Sequence, residues 1–159
     1  MSQELILYIS AASDLLAERH QISRAIAEIP ADLRWHIVQS PIKEGEVDQI
    51  ALQNAFAHFL LIGGDIRAPI GFEYVQAKQS GRLPTCLLKT GINRTAAAVD
   101  FQKHVSLETH WERFADSVGL RKKVLEHVGQ KLLKSTMHIG LTASEYDQIA
   151  AWLDQMENA

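Results

Sequence analysis

Leu5-Ile6-Leu7-Tyr8-Ile9, followed at once by Ser10-Ala11-Ala12-Ser13-Asp14, is the stretch that decides the reading of this chain. Five apolar residues without a polar interruption are the pattern of a strand covered on both faces, as central strands of parallel sheets are; a half-exposed strand alternates instead. The small and polar residues behind it end the strand. Ser13 stands where a helix N-cap belongs, and Asp14 complements the positive end of the helix dipole. Leu15, Ile22, Ile26 and Ile29 then recur at helical spacing until Pro30 stops the pattern. Strand, short loop and helix form the first unit.

The same unit repeats outward from there. Trp35 to Val38 reads as a second short strand, and Pro41, Lys43, Glu44 and Gly45 make a polar break before Val47, Ile50 and Ala51 begin another amphipathic helix. Phe59 to Ile62 is a third buried strand, ended by Gly63 and Gly64. A loop through Asp65, Arg67 and Pro69 leads into a helix carrying Phe72, Glu73, Tyr74 and Ala77, closed by Gly81 in the left-handed capping position. Thr85 to Leu88 supplies a fourth strand, and Asn93, Arg94 and Thr95 cap a helix running toward Lys103. A fifth, weaker strand falls between His104 and Phe114, and a helix through Val124, Leu125, Val128 and Leu132 follows.

Alternating strands and helices with short connections predict parallel strands joined by right-handed crossovers. The expected fold is therefore α/β: a flavodoxin-like three-layer α-β-α domain with a four- to five-stranded parallel sheet over residues 1–134, and a helical C-terminal tail over 135–159. In that tail Thr142 and Glu145 have capping-box spacing, and Tyr146, Ile149, Trp152, Leu153 and Met156 make one apolar face. The face either packs on the sheet or meets a second subunit.

Composition narrows the function classes. With 47% hydrophobic and 22% charged residues the chain is an ordinary globular one, and it has no apolar run of the roughly 18 residues that a membrane helix needs. The expectation is a cytoplasmic protein without membrane association. A net charge of −3 argues against a nucleic-acid partner, which demands a surplus of Lys and Arg. The single cysteine, Cys86, excludes an intrachain disulfide and reads as a small buried hydrophobe. Seven histidines lie scattered without metal-ligand spacing, so no metal is expected and most should sit at the surface or partly packed. No Gly-x-x-x-x-Gly-Lys-Ser/Thr sequence occurs, which removes phosphate transfer of the P-loop type, and the loop Ser10 to Asp14 lacks the hydroxyl-rich run that would cradle a flavin phosphate.

Ligands of open parallel sheets bind beyond the carboxyl ends of the strands. Three segments meet there: Ser10 to Asp14, Gln39 to Glu46, and Gly63 to Glu73. The last is the richest, because two glycines permit close backbone approach while Asp65, Arg67 and Glu73 bring both signs of charge to one strand end. If Phe72 and Val75 point inward, Glu73 faces the cleft as a nucleophile or a stabiliser of an oxocarbenium ion; the plainer reading is that it complements the helix dipole. Arg19 is either a ligand contact or the partner of Glu18 and Asp14 in an ion pair.

These residues also carry a resemblance. Ile9 to Arg19, Ile-Ser-Ala-Ala-Ser-Asp-Leu-Leu-Ala-Glu-Arg, resembles the opening signature of the family of domains of unknown function numbered 4062, in which a strand ending in Ser-Ser leads to Asp-Leu and then Glu-Arg. Leu60-Leu61-Ile62-Gly63-Gly64, followed by Gly71, Phe72, Glu73, Tyr74 and Ala77, resembles that family's glycine-ended strand and Glu-x-x-x-Ala helix. Ala11 departs from the pattern, as does a shorter loop between Asp65 and Glu73. The family is similar in plan to TIR domains and to nucleoside 2-deoxyribosyltransferases, which use a helix-borne glutamate against C1′ of a ribose or deoxyribose.

What the resemblance implies is a nucleotide- or nucleoside-binding domain that cleaves or transfers an N-glycosidic bond. Glu73 is its catalytic residue, Asp14 and Asp65 lie near sugar hydroxyls, Arg19 or Arg67 near a phosphate or carboxylate, and Ser10, Ser13 and Gly64 complete the substrate-binding set. It implies no cofactor, with NAD or a nucleotide as substrate or ligand, and a homo-oligomer. The alternative is a non-catalytic nucleotide-sensing or protein-interaction module of a signalling or defence system.

Overall fold

The structure, a computed structural model, describes residues 4–41 and 46–158; of the expected polar break, Lys43, Glu44 and Gly45 lie outside the described residues. Five strands form: β1 (Glu4–Ala11), β2 (Arg34–Ser40), β3 (Ala57–Ile62), β4 (Thr85–Lys89) and β5 (Trp111–Phe114). Between and after them come a 3-10 turn at Ser13–Leu15 and helices α1 (Leu16–Ile26), α2 (Gln49–Gln53), α3 (Ala68–Gln79), α4 (Ala96–Ser106), α5 (Ser117–Lys134), α6 (Thr136–Ile139) and α7 (Ala143–Glu157). The fifth strand is real. All strands are parallel, in the order β2-β1-β3-β4-β5. The direction of strand addition reverses between β1 and β3, so this is the flavodoxin-like order with its switch point there.

Strand side chains alternate between two helical layers. Leu5, Leu7, Ile9 and Ala11 of β1 join Phe59, Leu61, Leu87 and Phe114 under α1, α5 and α7. On the other side, Leu60, Ile62, Cys86, Leu88 and Trp111 pack beneath α3 and α4, and Tyr8 and Val38 pack beneath α2 and the Ala55 turn behind it. Cys86 is buried, and burial pushes its thiol up to about 12, which makes it the inert core residue that its apolar run implies.

The tail packs on its own domain. Ile149 and Leu153 of α7 enter the core beside Val128 and Leu132 of α5, while Tyr146 remains 40% exposed. The approach is close at Gly129, where an added Cβ would stand 2.7 Å from a Leu153 methyl. Thr142 and Glu145 form the expected capping box, with Glu145 N donating to Thr142 Oγ1 at 3.1 Å and Thr142 N to Glu145 Oε1 at 3.0 Å. Thr95 caps α4, its hydroxyl accepting from Ala98 N at 3.2 Å, and Gly81 takes a φ of +72° behind α3. Ser13 does not cap: the residues before the 3-10 turn and α1 are Ala12 and Leu15, and neither end has a side-chain cap. The hydrogen bond from Leu15 N to Ala12 O tightens this turn instead, so Ser13 lies inside it and is exposed.

Candidate functional site

The carboxyl ends of β1 and β3 do come together. Asp14 Oδ2 accepts from Gly64 N at 2.8 Å, and Asp65 Oδ1 accepts from Ile66 N at 2.8 Å and from the Thr95 hydroxyl at 2.9 Å. Thr95 N donates in turn to Gly64 O at 2.8 Å. Those bonds to Asp65, with the nearby Arg67 guanidinium a smaller influence, hold its carboxyl below the usual range. Arg67 itself is exposed at the start of α3. The two glycines have the expected role with an unexpected occupant. A Cβ at Gly63 would meet Asp14 Oδ2 at 2.7 Å and Leu15 Cδ2 at 2.9 Å, so the room they leave is taken by the chain's own turn.

Glu73 is elsewhere. The face of α3 that turns inward carries Ile70, Glu73, Tyr74 and Ala77, whereas Phe72 and Val75 are 40% and 43% exposed. This reverses the orientation expected from the sequence. Glu73 is wholly buried against the middle of the sheet, where the Tyr8 hydroxyl donates to its Oε2. Ser10 lies two residues along β1 on the same face, and its hydroxyl is 2.8 Å from His58 Nε2 of β3. The His58 and Tyr8 rings meet edge to face at 5.1 Å between centroids. Ser40, at the end of β2 and opposite Ser10 in register, closes the cluster. Its Oγ approaches the carboxylate without hydrogen-bond geometry, and Ser40 Oγ and Glu73 Oε1 have no hydrogen-bond partner among the described residues.

Burial governs the electrostatics here. It raises Glu73 above the ordinary carboxylate range, an effect that the Ser40, Tyr8 and Ser10 hydroxyls offset in part. Tyr8 is pushed far up, first by burial and then by its bond to Glu73 and the charge there. Burial drives His58 down to about 3, so it is a neutral imidazole at physiological pH. The cluster is thus one acid of raised pKa, one phenol that keeps its proton and one histidine that does not take one.

A hollow of about 630 Å³ opens beside α3, lined by Glu46, Val47, Gln49, Ala68, Pro69 and Phe72. Glu73, one residue further along, is not on its wall. Neither Asp14 nor Asp65 lines it, so the expected grouping of Glu73, Asp14 and Asp65 around one concavity is not formed. Two clusters stand in its place: an open rim of Asp14, Gly64, Asp65 and Arg67, and a closed one of Tyr8, Ser10, Ser40, His58 and Glu73.

Arg19 belongs to neither. It is buried, its Nη1 donates to Pro41 O at 3.5 Å, and its Nε has no partner among the described residues. The ion pair expected within its own helix does not form, because Glu18 pairs with Lys89 at 2.8 Å and Asp14 holds Gly64. Burial lowers its pKa.

Tyr8, Ser40 and His58 escaped the sequence reading. The signal was there: Tyr8 and Ser10 are polar-tipped residues two apart in an otherwise apolar strand and so share a face, and His58 interrupts the equally apolar Ala57–Ile62. Among the described residues no three metal-ligating side chains come together. Comparison with protein-family models gives no match, and comparison with curated proteins gives none.

Proposed function

We propose that this chain is a nucleotide- or nucleoside-binding domain of the TIR-like and deoxyribosyltransferase-like kind, which cleaves or transfers an N-glycosidic bond through Glu73. The observation that carries the reading is a wholly buried carboxylate on α3, held through Oε2 by the Tyr8 hydroxyl and flanked by the hydroxyls of Ser10 and Ser40. Taking a carboxylate out of water is costly where an apolar side chain would not be, and a carboxylate kept there calls for a reason beyond folding. Attack on a sugar carbon is such a reason: Oε1 bonds to C1′ as the C1′–N bond breaks, the base leaves with the electron pair and takes up a proton, and water or a second base then displaces the carboxylate. Tyr8 fixes the orientation of the attacking group. Arg19 supports a substrate with a phosphate, since a buried guanidinium without a carboxylate among the described residues is favoured by an anion beside it.

The proposal requires α2 to move. This five-residue helix covers Tyr8 with Ala51 and Leu52, joined by Ala55 of the turn behind it, and so short a helix has little intrinsic stability to hold it in place. The second reading, a non-catalytic nucleotide-sensing or interaction module, is favoured by the complete burial of Glu73.

Incubation of the full chain with NAD and a panel of nucleosides and nucleotides, followed by chromatography, tests the first reading. Release of free base by the wild type, and its loss in Glu73→Gln, is the expected result. Intact substrates with the wild type, together with saturable nucleotide binding, leave the second reading and remove the first.

A further inference from the structure

The opposite end of the sheet, at the amino ends of the strands, holds a feature that the proposed chemistry does not use. Three adjoining hollows of about 320, 340 and 260 Å³ share Lys131 as a wall residue, and the first and third share Arg82. Each is near or within the roughly 300–1,000 Å³ of small-molecule sites. Lys131 Nζ stands over the Phe56 ring, 5.0 Å from its centroid, and Arg82 Nη1 is anchored on Ala55 O at 3.0 Å, so both cations are aimed rather than loose. Lys134 and His138 border the same region from α5 and α6. Glu4 also lines it, but its carboxylate is turned to Arg34 at 3.9 Å.

The charge balance makes this cluster unusual. Acidic residues outnumber basic ones in the chain, 19 to 16, yet Arg82, Lys131 and Lys134 have no carboxylate within 4.0 Å among the described residues. The lysines complement the carboxyl end of the α5 dipole, which accounts for part of their placement. That does not account for Arg82, which comes from the turn behind α3. Burial, and to a smaller degree the neighbouring Arg82 charge, hold Lys131 below its ordinary pKa.

We propose that this basal concavity, whose second and third hollows reach His58 at the edge of the Glu73 cluster, is an anion site that takes a phosphate group at Arg82 and Lys131. Arg82 offers the guanidinium N–H groups that Ala55 O does not occupy and Lys131 a point charge, with Ser135 and Asn54 on the wall to complete the hydrogen bonding.

Amide NMR titration of the full chain with inorganic phosphate, pyrophosphate and AMP, against potassium chloride at matched ionic strength, tests it. Saturable shifts at Ala55, Phe56, Lys131 and Ser135 are expected. Lys131→Glu should weaken binding at least tenfold while leaving the remaining spectrum in place, and Arg82→Gln checks the second cation. Equal affinity for phosphate and AMP identifies the bare group as the ligand; AMP bound tenfold more tightly identifies a nucleotide as its source. The proposal is overturned by shifts that potassium chloride reproduces, by shifts confined to Asp14, Arg19 and Gly64, or by Lys131→Glu binding as tightly as the wild type. Shifts confined to Asp14, Arg19 and Gly64 would leave the nucleotide reading standing alone, and basal shifts without base release from NAD or nucleosides would do the reverse.

Discussion

The two faces of the sheet are built from the same strands and follow different rules. Toward α1, α5 and α7 the buried strand residues are all apolar, from Leu5, Leu7 and Ile9 through Phe59, Leu61 and Leu87 to Phe114. Toward α2 and α3 the same strands place Tyr8, Ser10, Ser40 and His58 against Glu73, and all five are buried. The first face shows that these strands can fill a core without polar groups. The second face instead carries the desolvation cost of its polar groups, which the first face avoids.

That contrast can be broken or sharpened by measurement. The largest effect at neutral pH belongs to the apolar face: Leu132→Ala should destabilise the chain by about 3 kcal/mol in urea denaturation, the usual cost of a core leucine truncated to alanine. A loss under 1 kcal/mol would mean that α5 does not carry the core. Next comes acid sensitivity of the polar face. His58 is held near 3 from an ordinary 6.5, so the unfolded chain binds a proton that the folded one refuses, and stability present above pH 6.5 is lost as pH falls toward 3, by up to about 1.4 kcal/mol per unit. His58→Asn should flatten that slope whatever it does to stability at neutral pH; an unchanged slope would place the acid sensitivity elsewhere.

Glu73 has the opposite sign. Its folded pKa is raised, so its contribution is full below the ordinary glutamate value of 4.5 and is lost as pH rises through the folded value. Glu73→Gln should therefore gain stability relative to the wild type as pH rises above 4.5, and a constant difference between the two proteins across that range would contradict the raised pKa. Tyr8→Phe, which strips the carboxylate of its donor, should cost roughly 1–3 kcal/mol by the same denaturation assay. The smallest effect is expected far from both faces: Thr142→Ala removes half of the α7 capping box and should cost about 1 kcal/mol.

Much of the fold was legible, because parallel strands buried on both sides write uninterrupted apolar runs and the glycines and prolines between them mark short connections. The meeting of Asp14 with Gly64 was legible for a related reason: each follows a strand, and the loops behind parallel strands gather at the carboxyl end of the sheet. The placement of Glu73 was not. α3 carries apolar side chains all round, with Phe72 and Val75 on one side and Ile70, Tyr74 and Ala77 on the other, so its periodicity does not say which side is inward. The choice is made by tertiary packing, and it went to the side that bears the carboxylate. His58 was hidden by a different effect, since histidine is tolerated in a core once a neighbour such as Ser10 satisfies it, and that neighbour is 48 residues away.

The stitching of Asp14, Gly64, Asp65 and Thr95 divides the upper rim into halves of unequal rigidity. On one half, three loops brace one another through one backbone bond and through the side chains of Asp14, Asp65 and Thr95; on the other, α2 is five residues long and capped by Asp48. Amide hydrogens of Gly64 and Thr95 should accordingly exchange with solvent far more slowly than those of Leu52 and Asn54. In the proposed chemistry the braced half is therefore the fixed side of the rim, and the flank that overlies Tyr8 is the side that has to move.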